Sequence, residues 1–280
     1  MKFAALFGSE VRRLCARRAL RGSIALGLAI VAIVVVVNAI NSTGTGFDAH
    51  TMRLSKLWLE RPGGVHGDMA LAMSIFVFIL VVGLAATAIG GEYRAGTVGT
   101  LLTWEPRRIR VALARVSAVV LVTVAMYLLV IGVFVGGWYV GASWRGSTAG
   151  LGPDFWSNLA AVIARCALGA GLLATITSGL VLITRTTVGG LIAWIGYLIA
   201  IEGVLAGRNR SLEPSLFLTN FSAFLTGEDV AFSGRETFGP GGRVVQSYVA
   251  QPGTGLIRCV VIAVVLAGLG TLAFRRRDVA

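Results

Sequence analysis

Two groups of charged residues stand among apolar sequence, and they bound the chemistry this chain can perform. The first is the segment Gly90-Gly91-Glu92-Tyr93-Arg94-Ala95-Gly96-Thr97, which continues through Leu101-Leu102-Thr103-Trp104-Glu105-Pro106-Arg107-Arg108. It separates two long apolar runs, Met69–Ile89 and Val116–Val140; Gly90 and Gly91 are expected to end the first, and Glu92–Leu102 to form a helix along the membrane face. Acids interleaved with arginines and aromatics suit docking against another surface, because hydrogen bonds between ionised groups are stronger than neutral ones. The second group is Arg165, Glu202 and Arg258, each inside or at the edge of an apolar run. A charge at mid-bilayer costs ~2.5–3.5 kcal/mol on insertion scales, so each calls for a partner or an exit. Pairing of Glu202 with Arg165 or Arg258 would neutralise charge near the outer leaflet and line a path for a substrate. The simpler reading is that all three side chains snorkel to the outer interface.

Other chemistry is limited by what is missing. The chain has two lysines, Lys2 and Lys56, neither in a glycine-rich loop, so it lacks the phosphate-loop lysine of a Walker A site. Its two histidines, His50 and His66, lie near Asp48 and Asp68, but the spacing is irregular and the flanks are glycine-rich. No HExxH, GxSxG or CxxC occurs, and no pair of intramembrane carboxylates. Cys15, Cys166 and Cys259 give no disulfide framework, and the latter two fall in apolar runs, where a thiol is a small packing residue. The expectation is a protein without a catalytic, cofactor or metal site of its own.

The elements that carry these residues follow from composition. Of 280 residues, 56% are hydrophobic and only 14% charged, with mean hydropathy +0.81. A bilayer core of ~30 Å takes ~20 apolar residues of helix. Gly22–Ile40, Met69–Ile89, Val116–Val140, Leu159–Ile183, Val188–Ala206 and Leu256–Phe274 reach that length without the strict alternation of barrel strands. The expected fold is therefore all-α and polytopic, a single transmembrane domain with six helices. Ahead of the first, Phe3, Leu6, Phe7, Val11 and Leu14 recur at helical spacing among arginines, predicting an amphipathic interfacial helix within residues 1–21. That patterned start is longer than the short basic region of a cleavable signal peptide.

Charge sets the orientation. Of 25 basic residues, 15 fall on the face holding both termini, together with only four of the 13 acids. By the positive-inside rule that face is cytoplasmic, and the Glu92 segment with it. The net charge of +12 therefore reads as membrane topology and not as nucleic-acid binding. Between the last two spans, residues 207–254, Leu212–Leu218 and Phe221–Leu225 are too apolar for a solvated loop and too short to cross, which predicts re-entrant or interfacial helices. Gly227–Gly255 reads as an external loop. Gly132-Gly136, Gly137-Gly141 and Gly203-Gly207 have GxxxG spacing, expected to serve packing within the chain.

GEYRAGTVGTLLTWEPRRIRVALARV resembles the cytoplasmic coupling segment between spans 2 and 3 of ABC-2-type exporter permeases. In that family an acid, a base and a Gly-Thr pair follow span 2, and a leucine-rich turn leads to a Pro with basic neighbours. Glu92, Arg94, Gly96, Thr97, Leu101, Leu102, Pro106, Arg107 and Arg108 stand at those places. The amphipathic start, six spans, apolar pieces before span 6 and the closing Phe274-Arg275-Arg276-Arg277 extend the likeness along the chain, whereas the long Gly227–Gly255 stretch departs from it.

The resemblance implies a half-transporter in the cell membrane. It would pair with a second permease, identical or not, and with two copies of an ATPase subunit that carry the ATP and Mg. A coupling helix within 91–110, with Glu92, Tyr93, Arg94, Gly96, Thr97, Leu101 and Leu102 facing the ATPase, would move an amphipathic substrate (drug, antibiotic, lipid or peptide) outward. An ion-coupled secondary transporter and a non-transporting scaffold or sensor partner remain the alternative classes.

Overall fold

Long apolar runs must satisfy their backbone internally once out of water, and helices do so residue by residue. The computed structural model describes residues 3–42, 52–57, 69–96, 107–148, 152–204, 215–239 and 242–276. Among these, the helices are α1 (Phe3–Ala16), α2 (Arg18–Ile40), α3 (Met69–Arg94), α4 (Arg108–Arg145), α5 (Pro153–Thr184), α6 (Thr187–Gly196), α7 (Phe217–Thr226) and α8 (Pro252–Arg276). Five of them, α2, α3, α4, α5 and α8, are long and apolar enough to cross a membrane. The chain is a multi-pass, predominantly helical membrane protein.

The fifth expected span differs from a simple helix. Ten α-helical residues of α6 pass into seven π-helical ones, Tyr197–Gly203. At ~1.5 Å per residue the described part, Thr187–Gly203, is shorter than a ~30 Å bilayer core. Ala206, the expected end of that span, and Gly207 lie outside the described residues. The external loop also differs, because Val230–Gly239 and Gly242–Ala250 form an antiparallel pair, β1 and β2, with an irregularity between Ser233 and Glu236. Valine, phenylalanine and tyrosine recur there among polar residues, a composition suited to strands. The fold is therefore not purely α-helical.

Helix α5 is the centre of the bundle, with 72% of its most apolar window buried against protein, whereas α2 has 11% and lies at the periphery. Small residues explain the difference, since in lipid they let backbones approach closely. A Cβ added at Gly179 of α5 would lie 2.5 Å from the Leu266 carbonyl oxygen of α8, and one at Gly270 would lie 2.7 Å from the Gly179 oxygen. Gly137 and Gly141 of α4 pack on Val35 and on Met52 and Ala39 respectively, whereas Gly132 and Gly136 meet nothing within 4 Å. Two buried polar pairs join helices: Ser74 with the Tyr127 hydroxyl at 2.8 Å, and Trp194 Nε1 donating to Thr177 Oγ1 at 2.8 Å.

Candidate functional site: two charge clusters at opposite ends of the bundle

Helix α1 presents Leu6, Glu10 and Leu14 at four-residue spacing on its buried face. Leu6 packs with Val111 and Ala114 of α4, so this face is seated on protein. Phe3, also expected on the apolar face, is 45% exposed. Seating the stripe carries Glu10 into the bundle end, where Arg115 of α4, only 3% exposed, lies beside it with Nε 3.7 Å from Glu10 Oε1.

Glu92 completes this cluster. It sits in the last turn of α3, 4% exposed, where Arg13 Nη2 lies 2.5 Å from Oε1, Arg17 Nη2 donates to the same oxygen, and Arg115 Nη2 pairs with Oε2. Arg13 also donates to Glu10 Oε2 at 2.5 Å. Two carboxylates thus share three guanidiniums. Buried charges cost several kcal/mol each to desolvate and are tolerated only when well paired. Arg17 adds a hydrogen bond to the Ala88 carbonyl at 2.6 Å. Burial pushes its guanidinium pKa down, Arg13 pushes the same way, and Glu10 pulls it back up.

The Gly90-Gly91 pair, expected to end span 2, has a different role. Helix α3 runs through both glycines to Arg94. A Cβ at Gly90 would lie 2.5 Å from the Thr187 backbone nitrogen, and one at Gly91 would lie 3.9 Å from Arg17 Nη1. The missing side chain of Gly90 lets the start of α6 lie against α3, whereas Gly91 leaves room for a Cβ in ordinary contact with Arg17. Gly96 is the actual terminator, with φ 66° in the left-handed region that glycine tolerates. Its Cβ position meets nothing within 4 Å among the described residues. The expected Glu92–Leu102 helix is corrected accordingly: Glu92, Tyr93 and Arg94 belong to α3, and the chain turns at Gly96. Tyr93 packs edge-on against Phe274 at the end of α8, with centroids 6.5 Å apart, while Arg94 is exposed. Thr97, Leu101, Leu102 and Pro106 lie outside the described residues.

The second cluster is at the other end, where α5 and α8 begin. Arg165, Glu202 and Arg258 converge on α7, and each holds it by a different group. Glu202, 6% exposed, accepts from the Leu218 backbone N–H at 2.9 and 3.0 Å, at the start of α7. Arg165 Nη1 donates to the Thr226 carbonyl at 3.0 Å, at its end. Arg258 Nη1 donates to Asn220 Oδ1 at 3.3 Å, between the two. Acid at a helix N-terminus and base at its C-terminus oppose the helix dipole and satisfy groups that a short helix leaves open. Glu202 is therefore drawn inward to α7 and does not snorkel.

Four residues of the first cluster were legible only as topology signals. Glu10 had one clue, its place on the Leu6–Leu14 stripe. Arg115 had another, falling within the helical period of the buried Val111, Ala112 and Val116. No group of His, Cys, Asp and Glu suited to a metal occurs among the described residues. No protein-family model and no curated protein matches the chain.

Proposed function

We propose that the chain is the permease subunit of an ATP-binding cassette exporter, inserted in the plasma membrane with both termini and the Glu92 end of the bundle in the cytoplasm. It pairs with a second permease and with two ATPase subunits, which bind the ATP and Mg. The observation that carries this reading is the joint around Glu92. At the point where the span 2–3 connection leaves the membrane, one carboxylate ties α3 to α1 and α4. A push on that connection moves three helices together, which a coupling element requires. The span-length helices and the likeness of the 90–115 segment to ABC-2-type coupling segments support the same reading.

The burial of Glu92 changes how coupling works. Glu92 acts as an internal positioning residue, and the ATPase meets exposed Arg94 and the segment that follows it in sequence, with Thr97, Leu101 and Leu102. Transport follows if the two bundle states differ in affinity for the nucleotide-bound ATPase and for the amphipathic substrate, because a ligand shifts an equilibrium only by its differential affinity. The test is reconstitution with an ATPase from an adjacent reading frame. Substrate-stimulated ATP hydrolysis should require both subunits, and this chain alone should bind no ATP. Nucleotide binding by the isolated chain, or hydrolysis indifferent to its presence, would remove the reading.

A further inference from the structure

Helices α5, α6 and α8 and the start of α7 leave an apolar groove of about 360 Å³ between them. Buried Ile176, Trp194 and Phe217 form its floor, and exposed Val261 and Val265 of α8 its rim. The volume lies within the ~300–1,000 Å³ of small-molecule sites. The walls belong to apolar helices, of which α5 and α8 have membrane-crossing length, and the exposed rim residues face outward from the bundle.

One end of the groove is polar. Tyr197 stands in the wall, and its hydroxyl accepts from the Phe217 backbone N–H at 3.4 Å. Arg258, exposed, stands one helical turn before Ile262, a groove residue, and so on the same face of α8. Its Nη1 reaches Asn220 of α7. An independent observation points to the same wall. Tyr197 opens the π-helical stretch Tyr197–Gly203, and π turns are rare and found mostly at functional sites. This stretch brings both Tyr197 and Glu202 onto the first residues of α7.

We propose that the groove binds one acyl chain of an anionic phospholipid from the surrounding bilayer, with the lipid phosphate at Arg258. An empty groove would forfeit dispersion contacts along its lining, so a chain fills it wherever bilayer lipid has access. The headgroup supplies the selectivity, since a guanidinium offers phosphate a two-pronged, charge-assisted contact. This site does not depend on the exporter reading, and its test needs no ATPase.

The full chain is placed in phosphatidylcholine bilayers containing a minor share of phosphatidylglycerol, with brominated chains on one lipid or the other. Quenching of Trp194 is isolated as the difference between wild type and Trp194→Phe. Brominated phosphatidylglycerol should quench Trp194 more than brominated phosphatidylcholine at equal mole fraction. That preference should fall about fivefold in Arg258→Gln, as expected for one basic residue at an anionic headgroup. It should also weaken in high salt, which carries the test if the glutamine variant does not fold. Equal quenching by the two lipids would overturn the proposal, as would a preference surviving both Arg258→Gln and high salt. Absence of Trp194 quenching would also overturn it, showing that protein, such as a second copy of the chain, covers the groove.

Discussion

Arg17, at the junction of α1 and α2, donates to the Glu92 carboxylate in the last turn of α3. The two are 75 residues apart in sequence, and their bond makes the amphipathic N-terminal helix part of the bundle.

The stability consequence depends on burial. Removing one partner of a buried ion pair typically costs ~3–5 kcal/mol, because the other charge is stranded. Glu92→Ala leaves the buried Arg115, 3% exposed, and its two neighbouring arginines with Glu10 as their one carboxylate in the cluster, and is expected to lower the melting temperature strongly in detergent. Arg17→Ala removes a side chain 22% exposed and leaves Glu92 with Arg13 and Arg115, so its effect should be smaller. A double-mutant cycle on Glu92 and Arg17 should return a clear coupling energy; additive losses would show that the pair contributes nothing. On the exporter reading, Glu92→Ala also uncouples ATP hydrolysis from transport in any fraction that folds.

Close helix crossing should discriminate between glycines of equal composition but different surroundings. Gly179→Leu places atoms where Leu266 backbone already stands, while Gly132→Leu enters open space. Overpacking of this kind costs ~1–3 kcal/mol or more. Gly179→Leu should therefore lower thermal stability markedly, and Gly132→Leu should leave it near wild type. Similar melting curves for the two would show that α5 and α8 do not cross at Gly179.

Helix α7 depends on charges from three other elements. A charge at a helix end contributes up to ~2 kcal/mol when partly buried. Glu202→Ala and Arg165→Ala are each expected to speed amide exchange across Phe217–Thr226 by about tenfold, one factor of ten per ~1.4 kcal/mol. Exchange in α3 should stay unchanged. Uniform acceleration over the whole chain would show global destabilisation and not release of α7.

The orientation expected from the basic-residue asymmetry is open to direct labelling. Cys166 and Cys259 are buried and Cys15 is exposed, so Cys15→Ser gives a quiet background. In that background Ser9→Cys and Ala95→Cys should resist an impermeant thiol reagent on intact cells, while Thr148→Cys should react. Labelling at Ala95 would invert the topology and remove the ATPase-facing assignment of this end.

Local composition was enough to determine the membrane class, the places of five long apolar helices, and that the stretches forming α1 and α7 are helical. Each rests on apolar runs or on helical spacing, which a reader of residues can see directly. The β-hairpin was less legible, because its glycine-rich stretch also suits an irregular loop and strand pairing is decided between segments. The end of α3 was misread for a related reason. Gly90-Gly91 has the composition of a terminator, but tertiary packing holds the helix together through both, because Thr187 occupies the space that a side chain at Gly90 would need. The partners of the charged residues lay beyond the sequence altogether. Glu92, Arg17 and Arg115 are far apart along the chain, as are Glu202, Arg165 and α7. Only the packing of helices could decide that a buried acid is met by a base before it can meet anything outside.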